Sequence, residues 1–155
     1  MESITTLTMV RQFNTSVEEV FDAWLAPGTM RKWLFTSEAT NKLVENVAHV
    51  GGHWEIIDHR EEKDYRAIGE YKDIDRPHRL EFTFKMPQFS DSEDTIVVEL
   101  NPIEDGCEMT FTQHIHVPHE DNWAEADILK AIDEFRDGSE HGWNLMFISL
   151  GEQVE

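Results

Sequence analysis

Residues 139–154, SEHGWNLMFISLGEQV, decide the fold. Trp143, Met146, Phe147, Leu150 and Val154 recur at spacings of three and four residues, which places them on one stripe of a helix running from about Ser139 to the end of the chain. A helix with one broad apolar stripe has to bury it against another apolar surface. Just upstream, Ala124, Ile128, Ala131, Ile132 and Phe135 form a second stripe that reads as ending at Asp137-Gly138, where glycine can supply a left-handed closing residue. Residues 123–154 are therefore expected as two helices or as one broken helix.

The surface to be covered lies between Ser37 and Ile115, where the pattern changes to period two. Strands are predicted at about 37–48, 52–59, 65–75, 79–86, 94–102 and 107–116, punctuated by Gly51-Gly52, Arg76-Pro77, Pro87, Pro102 and Asp105-Gly106. Leu80, Phe82 and Phe84 face one way while Arg79, Glu81 and Thr83 face the other. Ile96, Val98 and Leu100 share a face, as do Cys107, Met109, Phe111 and Ile115. One face of an antiparallel meander is thus apolar, and the terminal helix is its cover.

Before the meander, residues from about Thr5 to Phe13 read as a first strand. Ser16-Val17-Glu18-Glu19 is a capping box opening a short helix with Val17, Val20, Phe21 and Trp24 on one face. That helix should stop at Pro27-Gly28, and Thr29 is the expected cap of a second short helix carrying Met30, Trp33 and Leu34. The fold class that follows is α+β, a curved antiparallel sheet of about six or seven strands around a long C-terminal helix, with two short helices after the first strand. One domain spanning residues 1–155 is expected from the length, and no internal repeat or linker interrupts it.

Charge narrows the function classes. The 155 residues carry 32 acidic and 13 basic side chains, a formal net charge of -19. Residues 86–155 contribute 17 acidic and 2 basic of these, so most of the negative field belongs to the C-terminal half. Nucleic acid is excluded as the main partner, because phosphate binding needs clustered Lys and Arg. Met1-Glu2-Ser3-Ile4 lacks the basic and apolar runs of a signal peptide, and no stretch approaches the ~18 apolar residues of a membrane span, so a cytoplasmic location without integral membrane association is expected. Cys107 is the only cysteine, which rules out an intramolecular disulfide.

The order of these pieces resembles a known family. The Ala23-Trp24-Leu25 and Lys32-Trp33-Leu34 helices, Gly51-Gly52-His53-Trp54, Gly69-Glu70-Tyr71, Pro77-His78-Arg79-Leu80-Glu81-Phe82, Thr95 to Leu100, Gly106 to Gln113 and Gly142-Trp143 are similar to bacterial proteins related to the C-terminal domain of the activator of the ninety-kilodalton heat-shock protein ATPase. These are START-like, helix-grip proteins, a superfamily that also includes a birch-pollen allergen, polyketide cyclases and lipid-transfer domains. The resemblance covers nearly the whole chain. It departs from the pattern at Pro118-His119-Glu120-Asp121-Asn122 and in the extra helical turns before Gly138. It implies the helix-grip fold, a hydrophobic small molecule as ligand and a chaperone as a possible partner.

Candidate chemistry is thin. His114, His116 and His119 come nearest to a metal constellation, but their spacing matches no closed zinc motif and outward-facing histidines beside a loop are common, so no metal and no cofactor are expected. Cys107 alternates with Met109 and Phe111 and reads as a small core residue rather than a nucleophile. Asp91-Ser92-Glu93-Asp94 lacks the glycine and distal glutamate of a calcium loop and reads as a solvated hairpin tip. No convergent acid–base pair is evident, and no catalytic residue is assigned. What remains is a cavity between sheet and helix, lined by Phe82, Phe84, Val98, Met109, Phe111, Trp143, Met146 and Phe147 and suited to a lipid, polyketide or aromatic metabolite. A cyclase- or hydrolase-type enzyme is the remaining alternative.

Overall fold

A computed structural model describes residues 2–155. The chain forms β1 (Glu2–Phe13), α1 (Val17–Leu25), α2 (Pro27–Trp33), β2 (Asn41–Asn46), β3 (His53–Arg60), β4 (Lys63–Asp75), β5 (Arg79–Phe84), β6 (Asp94–Ile103), β7 (Gly106–Pro118) and α3 (Glu125–Val154). The strands make one seven-stranded sheet in the order β1-β7-β6-β5-β4-β3-β2. Every neighbour is antiparallel. Five of the six pairings are local hairpins, while β1 crosses to the far end and pairs with β7 from Glu2↔Pro118 to Phe13↔Cys107. That pairing makes β1 one edge of the sheet, with β2 the other.

Alternation along the strands builds the inner face. On β7 every second residue from Cys107 to Val117 is buried, and on β6 Ile96, Val98 and Leu100 share that face. α3 lays Trp143, Phe147, Leu150 and Gly151 onto it, and each large side chain so buried contributes about 1.5–3 kcal/mol. α1 and α2 brace the end of this core with Phe21, Trp24, Met30 and Trp33, all buried.

Three local expectations are corrected. α3 is one continuous helix of 30 residues, with Gly138 inside it rather than at a stop. A lone mid-helix glycine costs only about 1 kcal/mol relative to alanine, and no proline follows to remove a backbone donor. The helix is instead held by its buried C-terminal turns, because no residue between Glu125 and Gly142 is fully buried. Second, α2 begins at Pro27 with Ala26 as its N-cap, and Thr29 lies within the first turn. Proline suits that first position because the N–H it lacks has no helical acceptor there. Third, β2 is shorter than predicted. Ser37–Thr40 form a turn, with Asn41 N donating to Ser37 O at 2.9 Å, and the buried Asp58 carboxylate accepts hydrogen bonds from the hydroxyls of Thr36 and Thr40.

Candidate ligand site between sheet and helix

The residues predicted to line a cavity meet on the inner face, but they are not all in the same environment. Phe82, Val98, Met109, Phe111, Trp143 and Phe147 are buried to between 0% and 3% exposure. Their centre is occupied by Trp24 of α1, which the sequence reading placed only in its own helix face. Its ring lies 5.9 Å from Phe82 and from Trp143, 6.3 Å from Phe147 and 4.7 Å edge-on from Trp33, centroid to centroid. Phe111 and Trp143 approach to 4.6 Å. These spacings are those of directly packed rings. Phe84 and Met146 lie at the border of the cluster, both joined to Phe35. The Phe35 ring stacks on Phe84 at 4.7 Å, and its N–H donates to Met146 Sδ at 3.2 Å. Phe35 adopts a left-handed backbone conformation, φ 58°, which is rare for a bulky residue.

Past Phe84 the packing loosens into a cleft of about 180 Å³ between the sheet and α3. It takes in Phe84, the β5–β6 loop at Met86 and Phe89, Ile115 of β7, and Phe135 and Ser139 of α3. The register explains the grouping. Phe84 pairs with Asp94, and one step along β7 from the Ile96↔Gln113 pair comes Ile115, so these side chains lie side by side at the end of the inner face. The loop is held by Phe89 N and Ser90 N, both donating to Met86 O.

The polar atoms of the cleft form a chain. Trp143 Nε1 donates to Gln113 Oε1 at 3.1 Å, Gln113 Nε2 donates to Asp94 Oδ2 at 2.9 Å, and His116 N donates to Asp94 Oδ1 at 2.9 Å. Gln113 is 1% exposed, and both ends of its amide are satisfied as burial requires. Burial pushes the Asp94 carboxyl above the usual aspartate range, while the His116 N–H and the Gln113 amide pull it back. Asp94 was expected in a solvated hairpin tip. Its parity with Ile96, Val98 and Leu100, and that of Gln113 with Met109 and Phe111, is the sequence signal that two polar groups face inward. Phe135 carried no such signal beyond its amphipathic stripe.

Elsewhere the structure distributes the remaining candidates. His114 Nδ1 lies 3.3 Å from Thr6 Oγ1, His116 Nδ1 2.7 Å from Glu2 Oε1, and His119 Nε2 3.2 Å from Ser3 Oγ, so each ring has its own partner. Among the described residues no group of three or more His, Cys, Asp or Glu is placed to hold a metal ion. Cys107 is fully buried, and burial pushes its thiol up to about 11. A larger groove of about 660 Å³ lies on the opposite face of the sheet, where Glu45, His53, Glu55, Arg66 and Glu70 surround Gly69. At Gly69 the strands touch so closely that an added Cβ would sit 1.8 Å from Thr83 O, which explains why only glycine fits. This groove is broad and charged, and α3 does not border it. Among the described residues no helix is long and apolar enough to cross a membrane.

Comparison with solved structures places this geometry. The chain is similar to protein SA2116 of unknown function from Staphylococcus aureus, with 26% identity, a TM-score of 0.91 and coverage of 99% of this chain and 94% of that one. It also superposes on the Mll3558 protein from Rhizobium loti, with 22% identity, a TM-score of 0.75 and 99% of each chain covered. With Ara h 8.0201 it shares the fold alone, at 11% identity and a TM-score of 0.69 over 98% of each chain. No curated protein sequence matches it. The family described as Activator of Hsp90 ATPase homolog 1-like protein matches residues 14–155, which spans both short helices, the meander and the whole of α3. The chain therefore belongs to the Activator of Hsp90 ATPase homolog 1-like family, within the START-like helix-grip fold.

Proposed function

We propose that the protein binds a hydrophobic small molecule, such as a lipid, polyketide or aromatic metabolite, without catalysing its conversion. The observation that carries this reading is the cleft between sheet and α3, where Phe84, Met86, Phe89, Ile115 and Phe135 surround the half-buried Asp94 and its buried partner Gln113. Apolar walls with a few fixed polar groups are what a small-ligand site requires. Of the eight residues expected to line a cavity, Phe84 borders this cleft, while Phe82, Val98, Met109, Phe111, Trp143 and Phe147 are packed in the core behind it. The chemistry of the polar groups supports holding rather than turnover. Asp94 accepts from Gln113, which itself accepts from Trp143, and among the described residues no hydrogen bond joins a serine of the cleft to Asp94 or to the His116 ring.

The test is native mass spectrometry of protein purified without denaturation, followed by titration with the neutral fluorescent probe N-phenyl-1-naphthylamine. A co-purifying mass or saturable probe binding, lost in Phe135→Asp, is expected. Absence of both from the native protein would overturn the reading.

A second reading rests on the family name, which refers to an activator of the Hsp90 ATPase. Trp123, 38% exposed, and Leu129, 55% exposed, are apolar side chains at the acidic start of α3 that such a chaperone partner could cover. Pulldown of a bacterial heat-shock ATPase by the native chain, abolished in Leu129→Glu, supports it. Retention of the same ATPase by Leu129→Glu removes this surface from consideration.

A further inference from the structure

Within the proposed ligand site, on whose existence this inference rests, Asp94 has a property the apolar walls do not explain. Its half-buried carboxylate lines the same cleft as Phe84 and Ile115, yet among the described residues no Lys or Arg forms an ion pair with it. Its hydrogen bonds come from neutral donors, the Gln113 amide and the His116 backbone. The His116 ring attracts the carboxylate electrostatically but makes no hydrogen bond to it. It belongs to the opposite side of β7, where it bonds to Glu2. Lys85 also borders the cleft, but it follows the inward-facing Phe84 and borders the outer-face groove as well. A carboxylate partly withdrawn from water without a directly bonded cation is costly, and one placed beside an apolar cleft has an open demand for a positive partner. Each of its oxygens already takes one hydrogen bond and has a second lone pair to offer.

The surroundings point the same way. Glu2, Glu93 and Asp91 lie near this end of the sheet in sequence or pairing, and residues 86–155 have 17 acidic and 2 basic side chains. An anionic ligand head would meet Asp94 at close range and the negative field at long range. A protonated amine meets attraction from both. The volume sets the size of the body, since about 180 Å³ holds one aromatic ring or a short aliphatic chain rather than a full-length acyl lipid. Ser90, Ser92 and Ser139 hydroxyls add neutral acceptors around the same opening.

The geometry points to a small amphipathic amine as the ligand class, its ring or short chain against Phe84, Ile115 and Phe135 and its ammonium donating to Asp94. This separates the site from one for fatty acids or other carboxylates, which a hydrophobic cavity alone would admit.

The experiment compares three probes that each carry two methylenes between a phenyl ring and a polar head, 2-phenylethylamine, 2-phenylethanol and 3-phenylpropionate, by amide chemical-shift titration of the native protein at pH 7. The amine is expected to bind at least about tenfold more tightly than the carboxylate, the size of one charge-assisted hydrogen bond, with shifts at Phe84, Ile115 and His116. Asp94→Asn should bring the two within about threefold of each other, while Glu99→Gln on the outer face should leave the preference intact. Three outcomes overturn the inference: carboxylate binding as tight as amine, an amine preference that survives Asp94→Asn and so belongs to the overall charge, or shifts confined to other parts of the surface. If Asp94→Asn does not fold, nuclear Overhauser contacts in the native complex decide. Aminomethylene protons near Asp94 and ring protons near Phe135 support the assignment, and the reverse orientation sinks it. Binding by none of the three probes removes the ligand-site reading itself, whereas binding of the alcohol without an amine preference removes only this inference.

Discussion

The two ends of the inner face differ in what fills them. At the α1 end, Trp24 stands among Phe82, Phe111, Trp143 and Phe147, all buried to a few per cent exposure. At the loop end, Phe84 and Phe135 leave a cleft, and the side chains between them include a carboxylate. The same sheet and the same helix supply both ends. The difference comes from the number of covering layers. α1 and α2 press a second set of aromatic rings onto the first end, while at the other the sheet is covered by α3 alone, in a stretch where none of its residues is fully buried. Close packing is a result of having enough side chains to fill a volume. A site forms where they run out.

The comparison is broken most strongly at Trp143, which joins the two ends. Trp143→Ala removes a ring from the packed cluster and the donor to Gln113, and should cost about 3–5 kcal/mol in urea unfolding. A loss under about 1 kcal/mol would mean that the ring is not part of a close-packed core.

Met109→Trp tests whether the closed end is closed. Met109 has no exposed surface, so added volume should destabilise by about 1–3 kcal/mol. If stability is unchanged and probe binding is lost instead, the ligand cavity extends under the α1 end and the contrast drawn above fails.

Phe135→Ala addresses the open end. Phe135 is 44% exposed, and its truncation should shift stability by no more than about 0.5–1 kcal/mol while weakening the binding of a neutral apolar probe several-fold. Thermal unfolding and probe titration on one preparation read both effects. A large stability loss would show the helix start to be anchored through this ring.

The smallest effect concerns pH. Because the folded state raises the Asp94 pKa, protonated Asp94 is favoured by folding. The sign follows from linkage: its contribution is fully present below the unfolded aspartate value and is lost as pH rises through the folded one. Asp94→Asn, which cannot ionise, should therefore gain stability relative to the native chain as pH rises from below the ordinary aspartate value through the raised one. Melting temperatures of both proteins across that range check this. A gap that narrows with rising pH would show that the carboxylate is stabilised by folding.

How much of this was legible in the sequence depends on the range of the interactions. The Trp143–Leu150 stripe, the parity of Leu80 to Phe84, Ile96 to Leu100 and Cys107 to Ile115, and the Ser16 cap, whose Oγ accepts from Glu19 N at 3.2 Å, are properties of residues a few positions apart. They carried the helix, the strands and which face would be apolar. The start of α2 and the continuity of α3 through Gly138 were misread locally. In both cases a weak local signal, a threonine and a glycine, was outweighed by a proline's fixed geometry in one and by the anchored turns downstream in the other.

By itself, then, the sequence determined the sheet, its cover and the family to which they belong, because alternation and helical spacing encode which side of each element avoids water. The inward parity of Asp94 and Gln113 was also written there. Tertiary structure alone decided what that parity means. Trp24 enters the interior from 58 to 123 residues away in sequence from the four rings it meets, and Phe135 and Phe84 line one cleft only because α3 lies across the sheet. Whether inward side chains fill a volume or leave part of it open is set by three-dimensional packing among distant segments, and no local pattern records it.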